Sequence, residues 1–150
     1  MIIEGDLTIP VSSRAAWWLV SDLGTLARAI PGSSDVERTD QGVSALVEQQ
    51  IGPITAKFRV QLRVVETKPD ARIEIRSYAA DREHRTTVHI SSVVSVAPAS
   101  DDHSTSIHFR HDVALRGPLA AFAYPVFADR VHRLEHEFRD RVTVLVKDDA

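Results

Sequence analysis

Cysteine is absent from the 150-residue chain. That excludes disulfides, thiolate metal sites and cysteine nucleophiles, and makes a reducing cytoplasm the simplest compartment. Long apolar runs are missing as well. No uninterrupted stretch approaches the ~18 residues of a membrane span, and Met1 to Pro10 has neither the basic start nor the apolar run of a signal peptide. Neither sign of charge dominates, and a net charge of −3 gives no overall attraction to nucleic acid or to an anionic membrane. The chain reads as soluble and complete. With 43% apolar and 26% charged residues its composition is ordinary for a globular protein, and one domain over residues 1–150 is expected. A chain of this size can bury roughly 70% of its unfolded surface, enough for one sizeable core.

Hydrophobic periodicity supplies the elements. Ile3, Leu7 and Ile9 alternate with Glu4, Asp6 and Thr8, as in a half-buried strand that Pro10 ends. Ser12 or Ser13 can cap a short helix running to Asp22, and a second short helix runs to Ile30 before Pro31 and Gly32 stop it. Strand patterns then follow without an intervening helix. Val43, Ala45, Val47, Gln49 and Ile51 point inward, then Ile54, Ala56, Phe58, Val60, Leu62 and Val64, then Ile73, Ile75, Ser77 and Ala79 after a Pro69–Asp70 turn. Val88, Ile90, Ser92, Val94 and Val96 continue the pattern, and past a polar loop at Ser100 to His103 so do Ile107, Phe109, His111, Val113 and Leu115. Consecutive strands on short turns imply an antiparallel meander. Gly117 and Pro118 then open a helix expected to run to about Lys147, with Phe127, Val131, Leu134, Phe138, Val142 and Leu145 as its apolar stripe, i,i+4 ion pairs on its wet side and a kink at Pro125.

The inward positions of these strands carry no Asp or Glu, so the paired carboxylates of acid–base hydrolysis are missing. Inward polar residues are few: Gln49, Ser77, Ser92 and His111, of which His111 alone is ionisable. Such a sparse polar set in an apolar wall suits orientation of a greasy ligand, with Phe58, Ile75 and Phe109 as wall. The structural alternative is a core histidine bonded to a neighbouring serine or water. Phe122, Tyr124 and Phe127 broaden the apolar surface of the last helix before Pro125, either as extra burial or as a cavity gate or docking patch. His132 and His136 have metal-ligand spacing on a helix but no third ligand, so no metal site and no cofactor are expected. On the outer sheet face Lys57, Arg59, Arg63, Arg72, Arg76 and Arg110 mingle with Glu4, Asp6, Glu48, Glu74 and Asp112. Without an aromatic ladder this reads as cross-strand ion pairing rather than a nucleic-acid platform.

The order of elements resembles the helix-grip fold of START domains, birch pollen allergen and polyketide cyclases. It implies an α+β architecture, with a curved antiparallel sheet of about six to seven strands wrapped around a long C-terminal helix and two short helices after the first strand. Three stretches are more specific. Trp17 to Asp22 with Ile30-Pro31-Gly32, then Ile51-Gly52-Pro53-Ile54 with Ala56 and Phe58, and Thr105 with Ile107, Phe109, Asp112, Val113 and Gly117 together resemble the CoxG family of carbon monoxide dehydrogenase proteins. That resemblance implies a START-like domain binding a hydrophobic small molecule, lipid-like or quinone-like, as a non-enzymatic accessory of a carbon monoxide dehydrogenase-type molybdenum hydroxylase. Molybdenum hydroxylase subunits become expected partners, as does peripheral contact with the inner face of the membrane; nucleic acid does not. The apolar C-terminal extension that several members carry has no counterpart in Lys147-Asp148-Asp149-Ala150, which argues against an anchor in this polypeptide. Two alternatives stay open: a cyclase- or dehydratase-like enzyme using His111 for proton transfer, and a protein-interaction module without ligand.

Overall fold

A computed structural model describes residues 1–99, 103–121, 136, 137, 139–141, 143 and 144. Its centre is one antiparallel sheet in the order β1-β7-β6-β5-β4-β3-β2, made of β1 (Ile2–Ile9), β2 (Ser33–Thr39), β3 (Gly42–Ile51), β4 (Ile54–Lys68), β5 (Arg72–Asp81), β6 (Thr86–Pro98) and β7 (Thr105–Arg116). From β2 to β7 each strand pairs with the next in sequence, while β1 pairs with β7. The first strand is therefore at one edge and the second at the other. The chain crosses between them through two short helices, α1 (Ser13–Ser21) and α2 (Leu23–Ala29).

Local chemistry explains the crossing. The Ser12 hydroxyl accepts from the Ala15 amide at 3.2 Å to start α1. Asp22 ends α1 and starts α2, its carboxylate accepting from the Gly24 and Thr25 amides at 3.0 and 3.4 Å. Ala16, Leu19, Val20, Leu23, Leu26, Ala27 and Ala29 are buried, so the crossing forms part of the core with the inner sheet face. That core follows the expected period of two: Leu7, Ile9, Val43, Ala45, Val47, Ile73, Ile75, Val94, Val96, Ile107, Phe109 and Val113 are all buried.

Four expectations need correction. Ser33–Thr39 forms an edge strand although it shows no apolar alternation; its pairing is interrupted by a bulge between Ser34 and Glu37, with Asp35 at φ 50°. Val64, expected inward, is 41% exposed. β4 there runs past the end of β3, whose pairing stops near Leu62, and a bulge follows between Val64 and Glu66. Pro118 lies in a turn closed by the Ala120 amide on the Gly117 carbonyl at 3.0 Å, and helical residues begin at 120. Finally, Arg59, Arg63, Arg76 and Arg110 form no ion pair among the described residues. Arg63 faces Arg76, and Glu4, which faces Arg110, is engaged by His108 instead.

Residues 120 and 121 and the described residues from 136 to 144 are helical. Most of the helix expected to run to about Lys147 lies outside the described residues, among it Pro125 and the stripe Phe127, Val131, Leu134, Phe138, Val142 and Leu145. Of the expected ion pairs in this region, Asp129 with Arg133 and Glu135 with Arg139 also involve residues outside those described. The third expected pair, Glu137 with Arg141, falls within the described residues and does not form; Arg141 donates to the Ile30 carbonyl at 2.9 Å, tying the segment to the end of α2.

Gly117 joins β7 to this segment at φ 114°, and a Cβ there would stand 2.2 Å from the Arg85 carbonyl oxygen. Gly52 in the β3–β4 turn has φ 60° but open space around it. Gly117→Ala should therefore cost at least ~2 kcal/mol, combining backbone strain with steric displacement, and Gly52→Ala only about 1 kcal/mol. Urea denaturation checks this: both midpoints should fall at constant slope, with the Gly117 variant lower, and equal midpoints would contradict the steric account.

Candidate functional site

Register brings the inward polar residues into defined rows. Ile75 pairs with Ser92, Ser92 with His111, and His111 with Ile3, so four strands contribute one continuous row of the inner wall. The adjoining row is Ile73, Val94, Phe109 and Gly5. Ile75, Ser92 and Phe109 are buried and His111 is half-buried. The Ser92 hydroxyl lies 2.7 Å from His111 Nδ1, and the imidazole stacks on Phe109 with ring centres 5.3 Å apart. The expected serine partner of His111 is thus Ser92.

The direction of that hydrogen bond decides what the histidine presents. Ser92 has no other hydrogen-bond partner among the described residues. If Nδ1–H donated, the buried hydroxyl proton would be left unused, at a cost of roughly 1–3 kcal/mol. Donation from Ser92 Oγ–H to Nδ1 uses both groups and places the imidazole proton on Nε2. Nε2 has no protein partner among the described residues. Burial pushes the His111 pKa below its ordinary 6.5, so at neutral pH the ring is neutral and offers one N–H donor.

The remaining expected site residues are distributed more widely. Ser77 is half-buried one row from Ile75, between Leu62 and Ile90. Phe58 is buried opposite Val47, six residues along β4 from the Ile75 row, or about 20 Å at ~3.3 Å per residue. Gln49 is half-buried beside that far corner, where its Nε2 donates to the Pro31 carbonyl at 2.6 Å. It serves the Pro31–Gly32 crossing, where a Cβ on Gly32 would meet the Glu48 carbonyl at 2.2 Å. Phe122, Tyr124 and Phe127 lie outside the described residues. Two open clefts are lined by other residues: one of about 560 Å³ by Ser13, Arg14, Trp17, Trp18, Ser21 and Asp70, and one of about 660 Å³ between α2, β2 and the segment at Asp140 to Val144.

An acid does occupy an inward position. Asp81 continues the alternation of Ile73 to Ala79 and is 2% exposed. The expectation of none stopped one alternate position short. Its carboxylate accepts from the Lys57 amide, the His84 amide and His84 Nδ1, each at 2.9 Å. Burial alone would raise its pKa, but the His84 and Lys57 hydrogen bonds outweigh that and hold it below 3.8. The Thr86 hydroxyl donates to the His84 carbonyl at 3.1 Å and accepts from the Leu119 amide at 3.3 Å. Asp81 pairs with Thr86, six residues along β6 from Ser92, so it caps a turn about 20 Å from His111 and cannot complete a triad with it. The Asp81-x-x-His84 spacing at a strand end was the available signal.

Among the described residues no group of three or more His, Cys, Asp or Glu side chains could hold a metal ion, and His136 is exposed. No described helix is long and apolar enough to cross a membrane. On the outer face His108 bridges Asp6 at 2.8 Å and Glu4 at 3.0 Å. The Asp6 bond first, opposed by slight desolvation, and then the Glu4 bond raise its pKa above 6.5.

The two histidines should titrate in opposite order. NMR of the ring protons is expected to place His108 above 6.5 and His111 below it, and the reverse order would refute both environments. The stability consequences also differ in sign. His111 takes up its proton less readily when folded, so its contribution is lost as pH falls below about 6.5. His108's contribution is present below 6.5 and lost as pH rises through its folded pKa, and as an exposed pair it is worth at most ~1 kcal/mol. His111→Gln should therefore flatten the fall in melting temperature between neutral and mildly acidic pH.

No curated protein matches the chain by sequence. Solved structures show the fold. A conserved protein from Geobacillus kaustophilus superposes with TM-score 0.84 at 15% identity, covering 99% of this chain and 96% of that one. The Zhui aromatase/cyclase from Streptomyces sp. R1128 superposes at 0.67 with 15% identity over 98% and 93% of the two chains. A START superfamily protein from Mycobacterium smegmatis does so at 0.61 with 14% identity over 96% and 98%. The curved seven-stranded sheet is thus START-like. A family profile matches residues 5–142, and on that match the chain belongs to the carbon monoxide dehydrogenase CoxG family.

Proposed function

We propose that the protein binds a neutral apolar small molecule, lipid-like or quinone-like, against the inner sheet wall, and does so in the cytoplasm as an accessory of a carbon monoxide dehydrogenase-type molybdenum hydroxylase. The observation that carries the binding reading is the Ser92–His111 pair, set in a row with Ile75 and Ile3 and leaving His111 Nε2 without a protein partner among the described residues. Burial of apolar ligand surface at ~25 cal/mol per Å² drives association, and the Nε2–H donor orients a carbonyl or similar acceptor. Family membership supports the accessory role. Contact with the inner face of the membrane belongs to the same reading, as the place where an apolar cargo is taken up.

A second reading has its own observation. A neutral histidine, half-buried and held by a serine, is a competent proton acceptor, and the aromatase/cyclase has the same fold. In that reading His111 moves a proton in a cyclase- or dehydratase-like reaction.

Native mass spectrometry with methyl palmitate and a short-chain benzoquinone as probes separates the two. A carrier should retain one probe through gentle purification, and His111→Ala should weaken it about tenfold, the worth of one buried hydrogen bond. Ile75→Asp should abolish retention by placing a charge in the apolar wall. Failure of both probes to bind, with the protein folded, would remove the carrier reading; turnover of a polyketide-like substrate lost with His111 would establish the enzyme.

A further inference from the structure

The outer face of the sheet has its own pattern. One transverse row reads Leu46, Arg59, Ala80, Thr87 and Arg116; the next reads Ser44, Gln61, Tyr78, His89 and Ala114; the third reads Arg63, Arg76, Ser91 and Asp112. The four arginines are exposed, and Tyr78, 42% exposed, packs against His89 with ring centres 4.9 Å apart. Around them stand small side chains: Ala80, Thr87, Ser91 and Ala114. None of the four arginines has an ion-pair partner among the described residues.

The placement is unfavourable for the isolated chain. Arg63 and Arg76 are direct cross-strand partners, and like charges placed opposite one another destabilise a sheet. In a chain of net charge −3, a cluster of four unpaired guanidinium groups gains only when something anionic meets it. We propose that this face, centred on Tyr78 and His89 and flanked by Arg59, Arg63, Arg76 and Arg116, docks an acidic surface of a partner protein.

Shape and charge select that occupant. The patch spans three strand spacings by four residues, roughly 14 by 13 Å, a scale suited to a transient encounter. Glu48 and Glu74 border it on the same face, and Asp112 stands at its β7 corner. A compact acidic patch meets only the arginines, whereas a nucleic acid or a membrane extends into this acidic rim. The aromatic rings stack on each other as one pair and form no ladder for successive bases. Arginine binds carboxylates bidentately, and tyrosine and arginine dominate the energetic centres of protein interfaces. The inference uses only the outer face and stands apart from the ligand reading.

The test titrates the ¹⁵N-labelled full chain with a glutamate-rich decapeptide at low salt, beside an oligothymidylate and phosphatidylglycerol vesicles. Saturable shifts confined to the six residues are expected, with affinity falling as salt rises. Arg63→Gln/Arg76→Gln should weaken the peptide about tenfold or more while Arg38→Gln leaves it unchanged. The double variant should melt no lower than the parent, since it removes a repulsive pair, and this confirms an intact fold. Absent or scattered peptide shifts, insensitivity to the double variant, or tighter binding of the oligonucleotide or the vesicles would each overturn the proposal.

Discussion

A sheet with one apolar face has to be covered on that face, and in this chain the cover is supplied by the connections rather than by a second sheet. Because β1 and β2 occupy opposite edges, the chain between them must travel the width of the sheet. It does so as two short helices hinged at Asp22, whose carboxylate and backbone serve both helix ends. Arg141 extends the arrangement by joining the C-terminal segment to Ile30 at the end of α2. Burial of Ala16, Ala27 and Ala29 to nothing shows how closely these connections press on the wall.

Each end of the sheet has its own fastening. At the β5–β6 turn, Asp81 gathers the Lys57 amide, the His84 amide and the His84 ring, and Thr86 passes the connection on to Leu119. These polar groups are thereby satisfied together, which is what permits them in an otherwise apolar interior. At the other end the Thr105 hydroxyl, fully buried, donates to the Val11 carbonyl at 2.8 Å and fixes the entry to α1. Between these fastenings the Ser92–His111 pair retains an unspent donor among the described residues, directed at whatever fills the space beneath the sheet.

How much was legible in the sequence depended on whether a residue's environment was set locally. The period-two runs from Val43 to Leu115 identified the inner wall because alternation is a property of each strand alone. β2 was invisible to that test: Ser33 to Thr39 is a polar edge strand formed because β3 offers it a partner. Gln49 shows the same limit, since its inward position was readable but its bond to Pro31, eighteen positions away, was not. Asp81 was readable and was missed by ending the pattern at Ala79. The unpaired arginines were the reverse case. Strand alternation shows charges of both signs mingling on the outer face, whereas pairing requires register, and register sets Arg63 against Arg76 and Asp112 against Ser91.

That same register links the two faces. Arg76 stands between Ile75 and Ser77 on β5, and Arg110 between Phe109 and His111 on β7, so each outward arginine is one peptide unit from a residue of the inner wall. A slip of one residue in either strand would exchange the faces, burying a guanidinium and exposing an isoleucine or phenylalanine, at a cost far above the few tenths of a kcal/mol by which surface pairs adjust. The irregularities are accordingly found at the margins: one bulge lies in the edge strand β2, and the other begins at Val64, beyond the end of β3, where the His111 row reaches β4. β5, β6 and β7 pair with one another without a shift in register, and a load placed on Arg76 from outside acts on the backbone that holds Ile75 and Ser77 in place.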